Sequence, residues 1–115
     1  MPPSALLASD TAASLQLKEA VQVSASGIVS RTVLQADEIR VVLFTFSDGQ
    51  ELTSHTNRRR ALVQILEGEC EFFFAGQWQR IAAGTLVHLP PQHPHAVRAA
   101  HGPFSMLLTL GAEPA

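Results

Sequence analysis

Apolar and polar residues alternate with a period of two over most of the chain, in short runs separated by turn-forming residues. The clearest run is 38–46, which is rich in β-branched and aromatic residues and ends at Ser47-Asp48-Gly49. Similar runs follow at 61–66, 69–74, 80–82, 85–89, 95–98 and 104–110. Strands at this spacing are typical of an all-β sandwich or barrel. The pattern therefore predicts one all-β domain over residues 1–115.

The N-terminal part of the chain is less regular. Two stretches, about 19–23 and 28–34, flank the turn-forming sequence Ser24-Ala25-Ser26-Gly27, and this arrangement predicts a hairpin. Residues 12–20 are the only stretch that could form a helix instead of a strand, and this stretch is short and lacks a capping residue at its C-terminal end. We therefore expect N-terminal strands within about 19–34, ahead of a barrel that spans about 38–110.

Composition and charge argue against several classes of protein. A hydrophobic content of 46% argues against disorder, and a net charge of −2 argues against a nucleic-acid-binding role. No run approaches the roughly eighteen apolar residues of a membrane helix, and residues 1–17 lack a signal-peptide pattern. Cys70 has no partner for an intrachain disulfide. These features predict a cytoplasmic protein without nucleic-acid or membrane partners.

Two of the five histidines stand at fixed distances from turn glycines. His55 follows Gly49 after five intervening residues, with Asn57 two positions further on. In the second half, Gly84 is followed after five residues by a proline, and His95 comes five positions after that proline. Because side chains alternate along a strand, His55 and Asn57 are expected to share one face. If that face is the interior, a second strand can bring His95 opposite them.

These spacings resemble the two motifs of the cupin family, over roughly residues 38–110. The first cupin motif is Gly, five residues, His-x-His, three or four residues, Glu, six residues and Gly, and residues 49–68 fall on this spacing. The second is Gly, five residues, Pro-x-Gly, two residues, His, three residues and Asn, and residues 84–99 fall on that spacing. The resemblance implies a double-stranded β-helix, which is a small jelly-roll barrel, and a homodimer.

The chain departs from the metal-binding set of the cupins, which is two His and a Glu from the first motif and a His from the second. His55 and His95 match this set, whereas Asn57 and Ala61 replace the other His and the Glu. An amide oxygen is a weak ligand for a transition metal, and two imidazoles fall short of the three protein ligands of a typical catalytic zinc site. His93 is a candidate third ligand, although its proline-rich turn restricts its direction. The resemblance is therefore to small cupins with an incomplete metal motif.

Two functions remain open at this point, and no residue pattern singles out a reaction. The favoured one is a small cupin that binds a small molecule in its barrel without a complete metal site. The alternative is a metal-dependent enzyme of the dioxygenase, isomerase or decarboxylase type, holding one Zn, Ni, Fe or Mn ion through His55, His95 and, as a third ligand, His93. The expected pocket combines polar and apolar side chains, namely His55, Asn57, His95, Phe44, Phe46, Phe72 and Met106.

Alternation also predicts what faces outward. Phe73 points away from the inward face that Cys70 shares with the neighbouring phenylalanines. Leu62, Gln64 and Leu66 are its expected companions on the outer face of the adjacent strand. An outward apolar surface on a small sandwich indicates a subunit interface, which agrees with a homodimer.

The remaining charged residues have less specific interpretations. The run Arg58-Arg59-Arg60 is either a solvated loop tip or an anion-binding rim near the pocket. Glu51 is expected to share the face of His55 and is the sole candidate inward carboxylate of the first motif. His88 is expected to point away from the pocket.

Overall fold

The computed structural model describes residues 5–114 and is built almost entirely from β-strands. Its described part contains one turn of helix, α1 (Leu17–Ala20), and no helix that is both long and apolar enough to cross a bilayer. The strands, which confirm the predicted all-β class, are β1 (Ile28–Gln35), β2 (Arg40–Phe46), β3 (Glu51–His55), β4 (Ala61–Glu67), β5 (Glu69–Phe74), β6 (Gln77–Ala82), β7 (Leu86–Leu89), β8 (His95–Arg98) and β9 (Phe104–Leu110).

The strands form two antiparallel sheets. One sheet has five strands in the order β1-β2-β9-β4-β7, and the other has four in the order β3-β8-β5-β6. Strands that are consecutive in the chain, such as β4 and β5, often lie in different sheets, which is the connectivity of a jelly roll. The predicted double-stranded β-helix is confirmed.

The core lies between the inner faces of the sheets, and strand alternation explains its composition. On β4, Ala61, Val63 and Ile65 are buried while the residues between them are exposed. Phe46 from β2 stacks on Phe104 from β9, with ring centroids 4.5 Å apart. A fully buried side chain of this size contributes roughly 1.5–3 kcal/mol through the hydrophobic effect. Phe72 and Val97 of the four-stranded sheet belong to the same buried cluster, so the core fixes the two sheets relative to each other.

The N-terminal segment covers the outer face of the five-stranded sheet instead of adding a hairpin. Residues 19–20 end α1, and residues 21–27 form no strand, so the predicted hairpin is wrong. The backbone N–H groups of Leu6 and Leu7 donate to carbonyls of β1. Ala20 and Val21 pack on the sheet face as part of a second apolar cluster. The apolar residues at 20–21 therefore reflect this packing and not strand pairing.

The predicted outer apolar surface is divided between the two sheets. Phe73 on β5 packs against Trp78 on β6, with ring centroids 5.5 Å apart, and so lies on the four-stranded sheet. Leu62 lies on the five-stranded sheet, and Leu66 packs in the cluster beneath the N-terminal segment. The expectation that these residues share one surface is therefore wrong, because β4 and β5 separate at Gly68 into different sheets. The homodimer stays a prediction.

Candidate functional site

A small cavity lies between the two sheets, with a volume of about 80 Å³. Six strands contribute to it, so the whole jelly roll determines its shape. Seven of its nine lining side chains are apolar and two are histidines; the residues are Phe44, Leu52, His55, Val63, Phe72, His95, Val97, Met106 and Leu108.

The pairing of β3 with β8 brings the two motif histidines together. His55 lies directly opposite His95 in the ladder, and their ring centroids are 4.2 Å apart. His95 is 8% exposed, whereas His55 is exposed to solvent. The cavity therefore reaches the surface at His55, and His95 lies deeper, stacked 6.3 Å from the ring of Phe72.

A β-bulge in β3 determines which side chains face the cavity. Leu52 pairs with Val97 and His55 pairs with His95, so three steps along β3 match two steps along β8. The extra residue reverses the alternation, and both Leu52 and His55 line the cavity. Glu51 does not share the face of His55 and is exposed. The expectation of an inward carboxylate at this position is therefore wrong.

Both cavity histidines are oriented by backbone carbonyls. The Nδ1 of His55 lies 2.8 Å from the carbonyl oxygen of Thr53, and the Nδ1 of His95 lies 2.9 Å from that of His93. A carbonyl oxygen only accepts hydrogen bonds, so each Nδ1 carries the proton. Each neutral ring therefore has its lone pair on Nε2. Within residues 5–114, neither Nε2 atom has a hydrogen-bond partner.

The surroundings of His95 favour its neutral form. Burial lowers the pKa of His95, because the charged imidazolium loses its hydration. The hydrogen bond to the His93 carbonyl acts in the opposite direction, and the charge of His55 again lowers this pKa. The inner end of the cavity therefore presents an uncharged acceptor nitrogen at neutral pH.

The structure places two of the expected pocket residues outside the cavity lining. Phe46 is buried in the core behind Phe44. Asn57 follows the end of β3, where its Oδ1 accepts the backbone N–H of Arg59 at 2.8 Å. Such a local side-chain turn is a common role for Asn immediately after a strand. The other expected residues line the cavity, namely His55, His95, Phe44, Phe72 and Met106.

Sequence reasoning missed four apolar lining residues. Val97 and Leu108 follow His95 and Met106 at a spacing of two, so alternation is a signal that identifies them. Val63 shares the inward face of β4 with Ile65 and is identified in the same way. Leu52 has no such signal, since the bulge places it on the face that alternation assigns to solvent.

The third candidate metal ligand, His93, has a different contact. Its Nε2 accepts the backbone N–H of Ala75 at 3.1 Å, from the turn between β5 and β6. Within residues 5–114, no group of three or more His, Cys, Asp or Glu side chains is arranged to hold a metal ion. The cavity supplies two nitrogen ligands, one fewer than a typical catalytic zinc site requires. The residues present do not fit a complete metal site.

The three consecutive arginines have separate roles. Arg59 is buried, and its Nε donates to the carbonyl of Gly111, which fixes the segment after β9. Arg60 donates from Nη1 to the Nε2 of His88 at 2.8 Å on the exposed outer face. Only Arg58 extends as an exposed side chain without such a contact in the described part of the chain. The run is therefore neither a uniform loop tip nor a joint anion cradle.

The comparisons with known proteins agree with this geometry. Residues 42–110 match the sequence model of the cupin domain, and no curated protein matches the chain significantly. An RmlC-like cupin from Desulfovibrio desulfuricans is 31% identical, with a TM-score of 0.78, over 88% of this chain and 97% of that one. A conserved protein of unknown function from Streptococcus pyogenes is 29% identical, with a TM-score of 0.81, over 100% of both chains.

A more distant similarity is to an enzyme. A DMSP lyase from Ruegeria pomeroyi is 25% identical, with a TM-score of 0.70, over 76% of this chain and 49% of that one. The family match covers more than half of the chain, from the second strand to the end of the last. The chain therefore belongs to the cupin family.

Proposed function

We propose that this cupin binds a small, partly apolar molecule in the cavity between its sheets and does so without a complete metal site. The observation that supports the proposal most directly is the pair His55 and His95 at one end of an otherwise apolar cavity. Apolar walls with a few convergent polar groups are the usual composition of a small-molecule site. The two imidazoles would orient the ligand, and the apolar walls would contribute affinity.

The size of the cavity limits the ligand. Its volume of about 80 Å³ is well below the roughly 300–1,000 Å³ of sites for drug-sized ligands. A molecule of a few non-hydrogen atoms would fill it, entering at the exposed edge beside His55. Larger ligands would require Phe44 or Met106 to move.

A second candidate is a metal-dependent enzyme, and one specific observation favours it. Metal-binding histidines usually donate the second ring N–H to a carbonyl or carboxylate, as both Nδ1 groups do here. The number of ligands argues against this candidate, because the family's other His and its Glu are replaced by Asn57 and Ala61. The lyase activity of the Ruegeria protein is a property of that longer chain and assigns no reaction to this one.

Metal analysis of the purified protein distinguishes the two candidates. We expect metal content far below one equivalent per chain, and the same content in the variants His55→Ala and His88→Ala. His88 is the matched control because it is an exposed histidine on the outer face. Near-stoichiometric zinc, nickel, iron or manganese that is lost in His55→Ala but retained in His88→Ala would establish the metal-dependent alternative instead.

The proposed homodimer has a more specific interface than the sequence predicted. Leu62 on β4 and Leu86 on the neighbouring edge strand β7 are both exposed, and Leu86 is 62% exposed. Exposed apolar side chains beside an unpaired strand edge favour association between chains. A second copy of this chain is the proposed partner.

Sedimentation at micromolar concentration tests this interface. We expect the parent protein to be a dimer and Leu86→Glu to shift it towards monomer, because a carboxylate would be buried without a partner. Val23→Glu is the control, since Val23 is 77% exposed and belongs to the N-terminal segment rather than to β4 or β7. A monomeric parent, or equal effects of the two substitutions, would contradict the proposal.

A further inference from the structure

The polar end of the cavity offers hydrogen-bond acceptors and no side-chain donors. Both Nδ1–H groups are used by the carbonyls of Thr53 and His93, so the free ring atoms are the two Nε2 lone pairs. The other seven lining side chains are apolar. A ligand that enters can therefore donate a hydrogen bond to a histidine, but no lining side chain can donate one to it.

An anion would be poorly accommodated in this cavity. A carboxylate in water accepts several strong hydrogen bonds, and it would exchange them here for apolar walls and two lone pairs. The lining contains no Lys or Arg side chain that could offset the negative charge. A neutral ligand that only accepts hydrogen bonds fits the walls but leaves both lone pairs unpaired.

A neutral ligand that donates a hydrogen bond fits both the apolar walls and the free Nε2 atoms. A hydroxyl group donates one hydrogen bond to an Nε2 atom, while a short hydrocarbon part contacts residues such as Phe72 and Val97. The ring centroids of His55 and His95 are 4.2 Å apart, so both imidazoles lie at the end of the cavity where the hydroxyl would bind. From these contacts we infer that the cavity selects small neutral hydrogen-bond donors, with short-chain alcohols as the simplest class, over anions and over neutral acceptors. This inference rests on the proposed function and specifies its ligand.

Three probes of similar size test the selectivity. Butan-1-ol and diethyl ether are isomers that differ in whether they donate a hydrogen bond, and butanoate adds a negative charge. Binding is followed by NMR titration of the cavity residues at about pH 7.5, one unit above the usual His pKa of about 6.5. We expect butan-1-ol to bind roughly tenfold more tightly than either of the others, which is the upper range for one net hydrogen bond.

Variants identify which side chains produce the preference. His55→Phe keeps a planar ring but removes one of the two acceptors, and it should reduce the preference for butan-1-ol over diethyl ether, with the remainder due to His95. His88→Phe makes the same change on the outer face and should leave the preference intact. In the unsubstituted protein, nitrogen-15 spectra of the two cavity imidazoles should show protonated Nδ1 and unprotonated Nε2 atoms, which requires no variant to fold.

The binding results distinguish a failure of the selectivity from a failure of the proposed small-molecule site. Butanoate or diethyl ether binding at the cavity as tightly as butan-1-ol would overturn the selectivity while supporting a small-molecule site. Protonated Nε2 atoms on both rings would overturn the selectivity as well. If none of the three probes perturbs the cavity residues, the proposed function and the inference fail together.

Discussion

Replacing Gly68 with alanine is expected to lower the free energy of unfolding by about 3 kcal/mol, from left-handed backbone strain and overpacking together. Gly68 joins β4 to β5 with a φ of +77°, where the chain passes from one sheet to the other. A Cβ at this position would lie 2.5 Å from the carbonyl oxygen of Pro103 and 3.1 Å from the Cβ of Phe104. Relieving this overlap would displace Phe104, which stacks on Phe46 in the core.

Gly76→Ala is the matched control for this prediction. Gly76 has a φ of +81°, and no atom lies within 4 Å of the Cβ it would acquire. It therefore measures left-handed strain alone, which is about 1–2 kcal/mol. Urea denaturation of the two variants and the parent gives both values. Equal losses would show that the contact with Pro103 and Phe104 relaxes at no cost.

Replacing Phe46 with alanine is expected to destabilise the protein by about 3–5 kcal/mol, the range for truncating a buried aromatic residue. Phe46 is fully buried and contacts both Phe104 and Phe44, with ring centroids 4.5 and 6.3 Å apart. Since Phe46 lies outside the cavity between the sheets, its removal would leave a second void behind Phe44. The loss includes both the transfer free energy and the energetic cost of that void.

The control is Val23→Ala, which removes methyl groups from an exposed side chain and should change stability by less than about 0.5 kcal/mol. Both variants are compared with the parent by chemical denaturation monitored by circular dichroism. A loss below about 1 kcal/mol for Phe46→Ala would mean that the two sheets close over the void. The walls of the cavity between the sheets would then be more deformable than their packing indicates.

The sequence predicts most of the fold because most strands bury one face. β4 and β5 show this alternation directly, and the glycines that end each run mark real turns, including Gly68 and Gly84. The positions of His55 and His95 were predictable from their spacing to turn glycines. The sequence does not distinguish the N-terminal segment from a hairpin, since Ala20 and Val21 pack on a sheet face without strand pairing.

The features that the sequence does not predict depend on non-local geometry. Alternation predicts the face on which a side chain lies but not the sheet to which its strand belongs. For this reason the sequence alone places Phe73 and Leu62 on one surface, although they lie on different sheets. The bulge in β3 adds one residue and has no local sequence signature. Because of this extra residue, Leu52 rather than Glu51 lines the cavity. Nothing in the sequence shows that β3 ends at His55, so alternation alone assigns Asn57 to the pocket.

The hydrogen bonds that fix the two imidazoles have a consequence for divergence within the family. Their acceptors are main-chain oxygens at positions 53 and 93, and every amino acid supplies such an oxygen. Substitutions at these two positions can therefore accumulate without changing which ring nitrogen holds the proton. The polarity of the site is therefore inherited with the path of the backbone, and the His93 side chain is held by a separate contact, the hydrogen bond from the N–H of Ala75.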